Sequence, residues 1–463
     1  MRRSTFNLSH EHKLSLDFGY LIPVQTQEVL PGDTFIGSSS ALLRIAPLVN
    51  PLMHRVEVRL HHWFVPYRLV WDEFERFITG RLDTTVPQVT RYSVSKVLDH
   101  MGVPEDAGQV SVLPLRAYNL IYNEFYRDQD LQTARTEGDA TLARICWQKD
   151  LFTIARPNPQ QGDPIAIDGE ISPAFRSDAA FSQINAGSND DVRRWNPVTE
   201  TWDLETAGDN RVMITKGLSS PPSISMDIND LRRSLGLQRI AEARAMFGSR
   251  YEDYLRFLGV NPSDGRLQRP EYCGGGKNVL NFSEVLATAE GASTAVGDMA
   301  GHGIGAINTR RFKRMFEEHG VFLTLMSVRP KTMYQNALHA QWLRKDATDF
   351  WHRELELLPW RELTQKEVYA PGSEDVVFGY VPQYEEYRHG VSYVSGSLRG
   401  GTENDWTMAR EFSSPPTLNS SFVTCTPTDR VYADAGMPEA ICSVINNLQA
   451  RRLVRANASI GAL

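Results

Sequence analysis

No run in this chain approaches the roughly 18 consecutive apolar residues of a membrane span. The best stretch, Val321 to Met326, is short and contains Thr324. No secretory leader is expected either: Arg2 and Arg3 imitate its charged start, but Ser4 to Lys13 are polar and no apolar segment follows. Cysteine is scarce, and Cys146, Cys273, Cys425 and Cys442 are widely spaced with no C-x-x-C pair, so neither a disulfide framework nor a structural zinc site is expected. They read as reduced thiols. Glycine and proline, 33 and 25 of 463 residues, stand near average usage, which excludes fibrous and low-complexity classes. No fixed-period repeat occurs, which disfavours solenoids and propellers.

A folded chain of 463 residues remains, about three times the length of a typical domain, either as several domains or as one core with long insertions. Its net charge of −7 is unevenly placed. Residues 160–215 hold ten acids against four arginines, a net −6, in a context rich in Asp, Asn, Ser, Gly and Pro. That composition predicts a solvent-facing insertion in an otherwise nearly neutral body.

Strict alternation of Val56, Val58 and Leu60 with Glu57, Arg59 and His61 predicts a strand over Arg55 to Tyr67 with one face buried. Val321 to Val328 and Val376 to Val381 are further strands, with Leu14 to Val24, Leu42 to Ile45, Val391 to Val394 and Phe422 to Thr424 as weaker candidates. Leu30-Pro31-Gly32-Asp33 has tight-turn composition. Helical spacing recurs at Trp71, Phe74, Phe77 and Ile78 with Gly80 as C-cap, at Leu115, Tyr118, Tyr122 and Phe125, and from about Asp230 onward, where Gly236 and Gly248 predict breaks. Scattered strands joined by long helix-bearing connections do not fit a βαβ alternation and suit an antiparallel sandwich with elaborated loops.

No catalytic constellation is complete. His10-Glu11-His12 and His61-His62 supply no third metal ligand, and the E-x-x-H of Glu386 to His389 lacks its second copy. Cys273 to Asn278 ends in Lys-Asn where a phosphate loop needs Lys followed by Ser or Thr, and Gly301 to Gly305 lacks the dinucleotide order, so both read as flexible loops. Ser397 is not in a G-x-S-x-G elbow. The acid pairs Glu317-Glu318 and Glu385-Glu386 read as solvated. Basic and aromatic residues interleave at Arg59, His61, His62, Trp63, Tyr67 and Arg68, and again at Trp342, Arg344, Lys345, Trp351, His352 and Arg353. Such mixtures suit single-stranded nucleic acid or a subunit interface.

Several ordered strings carry a resemblance: Phe6 to Lys13, Glu28 to Phe35, His62 to Arg68, Leu115 to Asn119, Asn123 to Asp128, Phe152 to Pro157, Ile228 to Arg232, Phe257 to Val260 and Leu267 to Tyr272. Together they resemble the major capsid protein of microviruses, the small single-stranded DNA bacteriophages, in their gokushovirus-like branch. The match is spread over most of the chain, and residues 160–215 depart from the family strings. The resemblance implies a mainly β fold, an eight-stranded antiparallel jelly-roll sandwich with long helix-containing loop insertions, as one domain over residues 1–463. It implies a structural protein, not an enzyme, without cofactor or metal, that self-assembles into a T=1 icosahedral shell around a circular single-stranded DNA genome.

Family members work with a scaffolding protein, a DNA pilot protein, often a small basic DNA-binding protein, and a host surface receptor. The chain would be made in the host bacterial cytoplasm and reside in the virion. Gokushovirus-like members raise one insertion at the threefold axes, and the acidic segment, with Asp190, Asp191, Trp195, Trp202 and Asp203, is the candidate protrusion. Arg2 and Arg3 at one end and Arg451, Arg452 and Arg455 in an acid-free C-terminal segment are the candidate DNA contacts. The competing reading is a β-sandwich carbohydrate-binding protein or glycoside hydrolase, with the tryptophans as groove aromatics and acids as catalysts.

Overall fold

A computed structural model describes residues 3–160, 193–196, 201–204, 228–247, 268–286 and 299–455. The chain divides into two compact units, residues 1–159 with 244–463, and residues 160–243.

Two antiparallel sheets dominate the larger unit. One is built on β4 (Thr34–Ile45), which is preceded by β1 (Ser4–Asn7), β2 (His10–Leu16) and β3 (Tyr20–Val29) and followed by β5 (Val56–Pro66) and the short β6 (Ala143–Arg144). Beyond the second unit come β7 (Glu271–Val279), β8 (Asn281–Leu286), β9 (Met299–Asn308), β10 (Phe312–Met315), β11 (Gly320–Pro330) and the C-terminal β12 (Ala440–Arg452). The first sheet has seven strands in the order β1-β12-β4-β9-β8, with β10 also on β4 and β2 also on β12. The second has five, in the order β7-β5-β11-β3-β6. The expected mainly β antiparallel sandwich is present, and its short added strands bring the sheets to seven and five.

Burial explains the patterns. In β5, Val56, Val58 and Leu60 point into the space between the sheets, where they meet Leu14, Leu43, Val328 and Val444. Its other face carries Trp63 and Val65, which pack with Leu323, Leu325 and Tyr118 beneath the insertion that follows β5. A helix at Leu113–Phe125 lies in that insertion, its Leu115, Tyr118 and Ile121 fully buried. Covered on both sides, β11 is buried along nearly its whole length and is predominantly apolar, whereas β4 and β12 alternate because one face remains open.

Differences from the sequence reading have local causes. Leu14 to Val24 is broken by a turn at Gly19, where φ is +80° and an added Cβ would lie 2.4 Å from the Cys425 carbonyl oxygen. Phe422 is not in a strand, because Asn419 caps a helical turn at Ser420–Val423 by accepting the Phe422 N–H at 3.0 Å. Val391 to Val394 forms only a bridge, Tyr393 to Tyr334.

The two glycine-rich strings are not loops but parts of β7 and β9. A Cβ on Gly275 would stand 2.3 Å from the Leu60 carbonyl oxygen and one on Gly301 2.6 Å from that of Asn50, so glycine is what lets these backbones approach. In the second unit a helix, Ile228–Phe247, runs through Gly236 without the expected break. Gly248 lies outside the described residues.

Candidate functional site

Several of the groups that could carry catalysis are engaged in structural contacts. Glu386 lies 3.7 Å from Arg344 and 3.3 Å from Arg361, Glu385 accepts from Arg388 and His389, and Glu318 meets Arg68 at 2.6 Å. Thus Glu385 and Glu386 are buried rather than solvated. His62, also buried, bridges Thr324 and Thr309 through its two ring nitrogens at 2.9 and 3.1 Å, and burial lowers its pKa to about 4. His10 and His12 contact the carbonyls of Leu8 and Val24. Among the described residues no group of three His, Cys, Asp or Glu could hold a metal ion. The four cysteines are free.

The basic residues near the termini are placed differently from one another. Arg451 and Arg452 are the last two residues of β12, so their side chains take opposite faces. Arg451 is exposed, opposite Thr34 of β4 and Thr5 of β1. Arg452 turns inward, donating from Nε to Asp33 Oδ2 at 2.9 Å and from Nη2 to the Glu28 carbonyl at 2.6 Å, with its guanidinium 5.5 Å from the Phe35 ring centre. Arg3 lies beside the Gly32 turn and Arg455 is exposed beyond the strand; Arg2 is outside the described residues.

Register places Lys13, Arg44 and Arg451 on the outward face of the seven-stranded sheet, with Lys313 of β10 exposed beside them. The same face carries polar Ser38, Ser40 and Asn447, the exposed apolar Leu42, Ile441, Ile445 and Met315, and the acid Glu11. On this mixed face the named cations outnumber Glu11, although the whole chain has a net charge of −7. Of these cations the sequence reading found only Arg451.

The second basic and aromatic cluster is a surface patch. Trp342 is 72% exposed, Leu357 88%, and Phe350, Trp351 and Tyr387 each just over half. Arg344 fixes part of it, its guanidinium 5.5 Å from the Phe350 ring centre and 4.7 Å from that of Tyr387. In the first cluster His62, Trp63 and Tyr67 are buried, while Arg59, His61 and Arg68 are half-buried.

In the second unit, Arg193–Asn196 and Thr201–Leu204 pair antiparallel with Trp195 opposite Trp202 and Arg194 opposite Asp203. Asp190 and Asp191 lie outside the described residues.

Comparison with known proteins decides between the two readings. The family model for the capsid protein (F protein) matches residues 1–460. The chain belongs to that capsid protein family. Capsid protein VP1 of Chlamydia phage 1 is 30% identical over 98% of this chain and 94% of its own length. Capsid protein VP1 of Bdellovibrio phage phiMH2K is 30% identical over 92% and 89%, and that of Spiroplasma virus 4 is 24% identical over 91% and 87%. This capsid protein is therefore a structural component of a virion rather than an enzyme, and the carbohydrate-active reading falls. Among the described residues no helix is long and apolar enough to cross a membrane.

Proposed function

We propose that this capsid protein assembles into a closed T=1 icosahedral shell enclosing circular single-stranded DNA. The observation that carries the reading is the family match over essentially the whole chain. The exposed Trp342, Phe350, Trp351 and Tyr387 suit contact between copies, since Trp, Tyr and Arg anchor protein interfaces. Two cations of this patch are paired, Arg344 with Glu386 and Lys345 with Glu374, while Arg353 of the same sequence cluster is exposed.

Residues 160–215 are the outward protrusion at the threefold axes in this reading, because a net charge of −6 would be costly to bury. The outward face of the seven-stranded sheet and the termini, with Arg451 and Arg455 foremost, meet DNA through its backbone, and most phosphate neutralisation falls to a separate basic peptide or to cations. A scaffolding protein, a DNA pilot protein and a host receptor complete the partners, and synthesis is in the host bacterial cytoplasm. Cryo-electron microscopy of purified particles tests the reading. Uniform shells of sixty copies with the acidic segment outermost are expected for T=1 symmetry. Soluble monomers from native particles, or the acids on the inner wall, would overturn it.

A further inference from the structure

Strands β5 and β11 lie side by side with Glu57 opposite Arg329 and Arg59 opposite Ser327, so the two arginines are diagonal neighbours on one face. Over them stand Phe125, Tyr126 and Arg127 at the end of the long helix and the segment Ile145 to Lys149, enclosing a cavity of about 490 Å³. Sequence positions some 270 residues apart thus meet at one opening; the sequence pattern groups Arg59 and His61 with their strand neighbours, and the family match assigns the opening no role.

Its charge is out of balance. Glu57 alone serves Arg55 at 2.8 Å and Arg59 at 2.9 Å, and it is also the carboxylate nearest in effect to Arg329. Arg329 donates to the Cys146 carbonyl at 2.9 Å, a neutral partner. Arg127 likewise bonds to neutral groups, the Gln132 carbonyl at 2.7 Å and the Gln129 side chain. The Nε donors of Arg59 and Arg127 are buried with no hydrogen-bond partner. Asp128 adds no free negative charge, being bound to Lys149 and Arg156.

Two consequences of the imbalance are visible in neighbouring groups. Burial, then repulsion from Arg59, lowers the pKa of Arg329. Burial, then Arg59 and Arg329, holds His61 down at about 4. Like charges gathered around a polar opening, with buried donors unsatisfied, are relieved by an anion that accepts from several guanidinium N–H groups at once. The walls suit more than a bare ion, since His61, Tyr126 and Trp147 are among the lining residues and the volume is that of a small-molecule site.

We propose that this cavity is a phosphate-binding site, seated by Arg59, Arg127 and Arg329, and that it takes one nucleotide of single-stranded DNA with the base against the aromatic wall. The phosphate chemistry stands on the cavity alone, while DNA as its source rests on the capsid reading.

The test uses full-length protein and calorimetric titration with inorganic phosphate, thymidine monophosphate and an oligothymidylate, at low and high salt. All three are expected to bind, more weakly at high salt, and Arg329→Gln is expected to weaken each about tenfold or more, the loss of one charged hydrogen bond. Phosphate should also raise the His61 pKa followed by NMR, a shift that a purely structural arginine would not produce. If Arg329→Gln fails to fold, Arg127→Gln carries the same comparison, because it lies outside the paired strands. Binding of phosphate and the mononucleotide without the oligonucleotide would keep the site and overturn DNA as its source. Binding of all three that is unaffected by both variants, or no binding at all, would overturn the proposal. Electron microscopy of the same preparations keeps the two readings apart, since intact shells without Arg329-dependent binding leave the capsid assignment standing.

Discussion

Arg452 reaches from the last strand to the fully buried Asp33 in the turn before β4, closing an ion pair of 2.9 Å between the two ends of the chain. Asp33 also accepts the Leu30 N–H at 3.0 Å, so one carboxylate holds both the turn and the C-terminal strand. Arg451, its neighbour, makes no use of that pocket and faces out.

The two arginines should therefore respond oppositely to the same change. Arg452→Gln strands a buried carboxylate and is expected to cost roughly 3 kcal/mol, read as a fall in thermal or denaturant midpoint. Arg451→Gln is expected to stay within about 0.5 kcal/mol of the parent. In assembled particles the order reverses, with Arg451→Gln combined with Arg455→Gln lowering packaged DNA. Equal destabilisation by both substitutions would show that the face assignment is wrong.

Glycines in the sheets and in the helix of the second unit should also separate. Gly275→Ala places a Cβ 2.3 Å from the Leu60 carbonyl oxygen, and Gly320→Ala one at the same distance from that of Val65, so both should lose several kcal/mol or fail to fold. Nothing lies within 4 Å of a Cβ on Gly236, and Gly236→Ala in a helix is expected to gain up to about 1 kcal/mol. Denaturant unfolding of the three variants distinguishes the cases.

These contrasts show what the residue pattern could and could not reveal. Alternation in Val56 to Leu60 exposed β5 because the inward Val56, Val58 and Leu60 are all apolar, although His62 follows at the next inward position. In β4 the inward set includes Gly37, Ser39 and Ala41, so only the last four residues, Leu42 to Ile45, stood out. β12 went unseen altogether: Asn446 holds an inward position, satisfied by Ser39 and Val24, while Ile441 and Ile445 face outward. Without that strand the opposite faces of Arg451 and Arg452 had no visible signal. Arg59 and Arg329 were still harder to pair, since nothing in a linear pattern records which strands become neighbours.

The exposed aromatic patch predicts a defect confined to assembly. Trp342→Ala and Trp351→Ala remove side chains that are 72% and 53% exposed, so subunit stability should change by less than about 1 kcal/mol. Loss of two such anchors is expected to cost an interface at least 2 kcal/mol, seen as subunits that sediment singly under conditions where the parent forms shells. Normal particle yield from the double variant would remove this patch from the subunit contacts.

Stability should fall as pH is lowered from about 6.5 toward 4, and the histidines should be the reason. His54, His61 and His62 are all held at about 4, in each case chiefly by burial. A histidine whose folded pKa lies below its unfolded value is neutral in both states above pH 6.5, so it costs nothing there. Below that pH the unfolded chain takes up the proton and the folded chain does not, which draws the equilibrium toward unfolding. For the buried His54 and His62 the loss can reach about 3 kcal/mol each by pH 4. Glu439 works against them. Its carboxyl is pushed up to about 7 by burial, despite the Phe18 N–H it accepts, with Asp17 and Asp429 adding to the rise. That group favours folding most below about pH 4.5 and loses its contribution as pH rises through 7. Glu439→Gln keeps an acceptor for Phe18 and is expected to stabilise the protein above pH 7 by roughly 1–3 kcal/mol, with little effect at pH 4. His62→Gln should flatten the acid limb instead. Thermal melting across pH 4 to 8 separates the two, and an acid limb unchanged in His62→Gln would assign the loss to other groups.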